Sequence, residues 1–128
     1  MKRDMDLIRE LLFRLEKISS SPVAKIVTPR SPDIAVDGFM ADQIDYHLRL
    51  ISDAGFVDTG PARALEGISF RSLTWKGHDF IDSVRDPEIW SRTKKGAEAA
   101  KGFTFDLLAD IAKGLIRKQI EEYTGIKL

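Results

Sequence analysis

Two stretches decide how this chain is read. They are Ile44-Asp45-Tyr46-His47-Leu48-Arg49-Leu50-Ile51-Ser52-Asp53-Ala54-Gly55-Phe56-Val57 and Leu73-Thr74-Trp75-Lys76-Gly77-His78-Asp79-Phe80-Ile81. In the first, Ile44, Leu48 and Ile51 recur at helical spacing, and Gly55 stands where a left-handed residue closes a helix. Phe56-Val57-Asp58-Thr59 follows at once as a strand. In the second, Leu73 ends an extended run and Thr74 is a helix N-cap, with Asp79, Phe80, Ile81 and Val84 in the helix behind it. Gly60-Pro61 and Glu66-Gly67 bound the loop between the two stretches. Ile68-Ser69-Phe70-Arg71 alternates inward and outward, as a half-buried strand does.

Upstream, Met5, Ile8, Leu12 and Leu15 form an apolar stripe, widened by Leu11 and Ile18, over a helix from about Lys2 to Ile18. Ser19-Ser20-Ser21-Pro22 stops it. The next segment has no helical period. Ala24 to Thr28 reads as one short strand and Ile34-Ala35-Val36 as another, both kept short by Pro29 and Pro32. Gly38 breaks the chain, and a helix follows from about Ala41 to Ala54. Its core face is Met40, Ile44, Leu48 and Ile51, flanked by Leu50 and His47.

Downstream, Asp86-Pro87 marks a new helix start, since proline suits a first turn. Ile89 and Trp90 anchor that segment. Arg92 to Gly102 is polar, small and bounded by glycines, the pattern of a frayed helix or a linker. The last helix carries one apolar stripe of Phe105, Leu108, Ile111 (or Ala112), Leu115, Ile116, Ile120 and Tyr123.

The order helix, strand, loop, strand, helix is that of a recognition helix, a β-wing and the helix after it. The fold class expected is therefore α+β: a winged helix-turn-helix-like domain over 1–86 with a helical C-terminal extension over 87–128. The second helix of a standard helix-turn-helix pair has no counterpart in the proline-containing segment. The 128 residues are 43% hydrophobic and 31% charged, with 20 basic and 20 acidic side chains. That balance fits a globular chain and argues against a non-specific nucleic-acid coater, which would be basic. The absence of cysteine excludes disulfides and thiolate zinc sites. The charged start lacks the apolar core of a signal peptide and no apolar run is long enough for a membrane span, so a cytoplasmic protein without membrane contact is expected.

The first stretch, ending in Ala54-Gly55-Phe56-Val57, resembles the recognition helix of small bacterial winged-helix repressors such as the ArsR type. Leu73-Thr74-Trp75-Lys76-Gly77 is similar to their wing-to-helix junction. A narrower resemblance rests on Met1-Lys2-Arg3-Asp4-Met5-Asp6-Leu7-Ile8-Arg9, on Leu73 to Asp82, and on Arg85-Asp86. These look like the uncharacterised phage- and prophage-associated family known as domain of unknown function 2513, over roughly Met1 to Trp90 and the terminal helix. That resemblance implies membership and carries no activity with it.

Two functions from different classes follow. The first is a small phage- or prophage-type regulator that binds double-stranded DNA, positioned by Arg49, Arg63, Arg71 and Lys76, with Gln43 and Tyr46 as base contacts. The second is a protein-interaction module that binds a host or phage protein and no DNA. Asp37, Asp42, Asp45, Asp53 and Asp58 surround Arg49, and these carboxylates would oppose docking on phosphates. A homodimer through the terminal stripe is expected, because such regulators often span two half-sites. His78 and Asp82 share a helix face, but no third ligand accompanies them, so neither metal nor cofactor is expected. Trp75 and Trp90 flank apolar segments and read as core, with binding hot spots as the alternative. No nucleophile elbow, phosphate-cradling loop or zinc-protease helix is present, so an enzyme is not expected.

Overall fold

Asp4 starts the first helix. Its carboxylate accepts the backbone N–H groups of Asp6 and Leu7 at 2.9 and 3.2 Å, which places the helix start after it. In the computed structural model, which describes residues 1–18, 20–61 and 63–128, α1 runs Met5–Lys17 and buries Met5, Leu7, Ile8, Leu11, Leu12 and Leu15. The protein is α+β, with five helices and two two-stranded antiparallel sheets among the described residues. It divides into two compact units, Met1–His78 and Asp79–Leu128.

In the first unit, β1 (Lys25–Val27) is followed by turns rather than by a second strand. The strand expected at Ile34-Ala35-Val36 is not formed. The N–H of Ile34 bonds back to Ser31, and the Ala35 carbonyl is taken by the Arg14 guanidinium at 2.7 Å. Ile34 is nonetheless fully buried, so its apolarity serves the core without a sheet.

The second helix, α2 (Ala41–Asp53), buries Ile44, His47, Leu48 and Ile51. Met40, expected on that face, is exposed, because it is the extended N-cap residue and lies outside the helical period. Ala54 caps the helix. Gly55, at φ +79°, then donates to the Ser52 carbonyl while Phe56 donates to that of Ile51. That paired closure requires a residue at ease in the left-handed region and delivers the chain directly into β2 (Val57–Asp58).

Two further strands follow, β3 (Ile68–Phe70) and β4 (Ser72–Leu73). β1 pairs with β3, Ile26 opposite Ser69, while β2 pairs with β4, Val57 opposite Leu73. The expected alternation along β3 is absent, since Ile68, Ser69 and Phe70 are all buried. Ser69 stands directly opposite Ile26 across the β1–β3 ladder, which puts the two on one face of the sheet.

Thr74 joins β4 to α3 (Trp75–Ser83). Its hydroxyl accepts the Gly77 N–H at 3.1 Å and donates to the Gly55 carbonyl at 2.6 Å. Gly77 lies so near β2 that a Cβ there would sit 2.2 Å from the Phe56 carbonyl oxygen.

In the second unit, α4 (Pro87–Ala99) begins at Asp86, which accepts the Ile89 N–H at 2.9 Å. The helix continues regularly to Ala99 with Thr93 and Ala97 fully buried, so most of the stretch from Arg92 to Gly102 is packed helix. Its small residues admit α5 (Phe105–Thr124), where the Ile111 side chain would lie 3.5 Å from a Cβ on Gly96. Phe80 meets Phe105 edge to face, and Lys113 pairs with Asp79 at 2.8 Å. No helix among the described residues is long and apolar enough to cross a membrane.

Candidate functional site

The polar side of α2 is tied to its own domain. Asp45 accepts the Gly67 N–H at 2.6 Å with one carboxylate oxygen and Arg49 Nε at 3.1 Å with the other. Arg49 Nη2 donates to the Leu65 carbonyl at 2.9 Å. Asp45 and Arg49 stand one turn apart, the spacing at which a carboxylate and a guanidinium meet on a helix. Together they fasten the loop before β3 onto α2. On the other side of that loop, Glu66 forms an ion pair with Arg30.

Gln43, Tyr46 and Arg49 thus share a helix, but they are unequally available. Gln43 Oε1 accepts the Met40 N–H at 2.9 Å, closing the helix start. Tyr46 is half-buried, with its ring edge-on to His47. Arg71 lies 3.9 Å from Asp58, at the end of the β2–β4 ladder. The Lys76 ammonium lies 5.6 Å from the Phe56 ring centroid, although the side chain is exposed. Arg63 is exposed and has no ion-pair or hydrogen-bond partner among the described residues.

Among the described residues, the most exposed large apolar side chains of this unit are Leu65, wholly exposed, and Trp75, 88% exposed. The core position expected for Trp75 is overturned. Gly77, two residues further on, presses against the Phe56 carbonyl, and two residues turn a helix by about 200°, so Trp75 points away from that contact. Trp90 is buried as expected. The residues that sequence reading passed over are Asp45 as an anchor, Leu65 and Ser69. Only the Asp45–Arg49 spacing offered a signal for any of them.

Asp82, considered with His78 as a metal pair, accepts from Arg85 at 2.8 Å. The described residues contain no cluster of three or more His, Asp or Glu side chains able to hold a metal.

The terminal stripe divides along its length. Leu108 is buried within the second unit, and Phe105, Ile111, Leu115 and Ile116 are half-buried there. Ile120 and Tyr123 are exposed.

A family model described as hypothetical protein (DUF2513) matches residues 2–104, which ends one residue before α5 begins. A protein of Haemophilus influenzae, itself described as an uncharacterized protein, is 28% identical over 123 residues, covering 94% of this chain and 99% of the relative. No solved structure matches the chain.

Proposed function

This chain belongs to the DUF2513 family, and from that premise we propose that its first unit is a winged-helix-like module that binds another protein. The winged-helix reading draws support from the order α1, β1, α2, β2, β3, β4, from the tight closure of α2 into β2, and from the antiparallel pairing of β2 with β4. The binding reading rests above all on Trp75. An exposed tryptophan at the start of a capped helix is a rigid, amphipathic anchor of the kind that dominates protein interfaces. The polar face that would read bases is meanwhile engaged, with Arg49 and Gln43 both bonded within the unit and Asp42 and Asp53 exposed beside them.

The test is affinity capture with the whole chain after nuclease treatment, comparing wild type with Trp75→Ala. A single protein recovered in stoichiometric amount by wild type and lost with the variant is the expected result. Equal recovery by both sinks the assignment of Trp75.

Double-stranded DNA is the second reading, favoured by one observation: Arg63 is exposed and unpaired among the described residues. A labelled random duplex titrated at low and then physiological salt tests it. Micromolar binding that weakens steeply with salt, and disappears with Arg63→Glu, is what phosphate contacts produce.

A further inference from the structure

Beyond Ile116, the side chains of α5 leave the packing of their own unit. From Arg117 to Thr124 every one is exposed except Glu121, which is partly covered. The apolar stripe nevertheless continues. Ile116, Ile120 and Tyr123 stand at i, i+4 and i+7, on one face of the helix. Ile116 is half-buried, Ile120 is 41% exposed and Tyr123 is 92% exposed. Gly125, at φ +74°, closes the helix by donating to the Glu121 carbonyl at 2.8 Å, so this surface is a capped end of about two turns.

The charges beside this face match a second copy of it. Each residue turns a helix by about 100°, so Arg117 follows Ile116 onto one flank of the stripe. Glu121 follows Ile120 onto the same flank, one turn further on. The Arg117 side chain has no ion pair or hydrogen bond among the described residues. Glu121 accepts the Leu128 N–H at 3.0 Å through Oε1, which leaves Oε2 without a partner among the described residues. Two antiparallel helices related by a two-fold axis set like flank against like flank. In the register that places Ile120 beside Ile120 of the second copy, Ile116 meets Tyr123 of that copy. The same register sets Arg117 of each copy across from Glu121 of the other, so one arrangement covers the stripe and forms two opposite-charge contacts.

We propose that the C-terminal end of α5 is a self-association surface, on which two copies of this chain pair antiparallel through Ile116, Ile120 and Tyr123, with Arg117 of each bound to Glu121 of the other. The matched charges favour a second copy over an unrelated apolar partner. About two turns per copy make a small interface, so the pair is weak, with a dissociation constant on the order of 10 μM. The surface lies in the second unit and uses no residue of the Trp75 reading, so either can fail without the other.

The experiment is sedimentation velocity of the full chain over a range of concentrations. Wild type should pass from monomer to dimer as the concentration rises. Tyr123→Ala, Arg117→Glu and Glu121→Arg should each raise the dissociation constant at least about tenfold. The decisive sample is an equimolar mixture of the Arg117→Glu and Glu121→Arg chains. Each repels its own copies, but the mixed pair regains both opposite-charge contacts and should dimerise about as well as wild type. Circular dichroism checks that every variant keeps its helix content. A wild type that stays monomeric up to about 1 mM overturns the proposal. So does a dimer that Tyr123→Ala leaves intact, which would place the interface elsewhere. A mixture of the two charge variants that remains monomeric overturns the antiparallel pairing itself.

Discussion

The imidazole Nε2 of His47 accepts the backbone N–H of Asp4 at 2.8 Å, while Nδ1 faces the Gln43 carbonyl at 2.7 Å. A neutral imidazole carries one proton, so acceptance at Nε2 puts that proton on Nδ1, where it donates to Gln43. The ring is buried between the start of α1 and the middle of α2. His47→Phe keeps a flat ring but removes both partners, leaving the Asp4 N–H and the Gln43 carbonyl with fewer bonds. The expected loss is about 1–3 kcal/mol, read as a lower midpoint in urea. An unchanged midpoint means the ring contributes by shape alone.

The Asp45 link to the loop makes a second prediction. Asp45→Ala removes the acceptor of the Gly67 N–H and the partner of Arg49. The expected cost is about 1–3 kcal/mol, with faster hydrogen exchange at the Gly67 amide. Asp45→Asn keeps an oxygen for Gly67 and should retain most of that protection. Equal exchange in wild type and Asp45→Ala would show that the ladder between β1 and β3 holds the loop without α2.

These two contacts show what the sequence discloses and what it conceals. The helices were legible because their signals are local: the stripe of α1, the Ala54-Gly55 closure of α2, Asp86-Pro87 before α4. Asp45 and Arg49 stand at a spacing that suits an ion pair, but the Leu65 carbonyl and Gly67 N–H they reach lie far along the chain, and no local pattern encodes that meeting. Arg49 therefore read as free to position DNA. Ile34-Ala35-Val36 read as a strand because apolar triplets carry no period that separates a strand from a buried turn. Trp75 read as core because its neighbours are apolar, whereas its direction is set by the contact between Gly77 and Phe56. Ser69 is small and polar where alternation expects an outward residue, yet it is buried.

The contrast between the two tryptophans can be measured directly. Trp90→Phe leaves Trp75 as the sole indole, since the chain has two tryptophans. Emission from this variant should be red-shifted and readily quenched by acrylamide, and bound partner should shift it back toward the blue. Trp75→Phe, retaining only buried Trp90, should emit further to the blue and resist quenching. Stability of the Trp75 variant should change by no more than about 0.5 kcal/mol, the usual range for an exposed position. Blue, protected emission from Trp75 in the free protein would remove it as an open docking anchor.

Two glycines in helices predict opposite outcomes for one substitution. Gly77→Ala places a methyl group 2.2 Å from the Phe56 carbonyl oxygen, with further backbone atoms behind it. Neither side can yield without moving α3 from β2, so the cost should reach at least the roughly 1–3 kcal/mol typical of overpacking. Gly114 lies in α5 with nothing within 4 Å of an added Cβ. There the substitution only restricts the unfolded chain and favours helix, a gain of about 0.8–1 kcal/mol. Urea unfolding followed by far-ultraviolet circular dichroism reads both changes. A tolerated Gly77→Ala would mean that the junction between β4 and α3 opens easily, so that the contact of Gly77 with Phe56 does not fix the outward direction of Trp75.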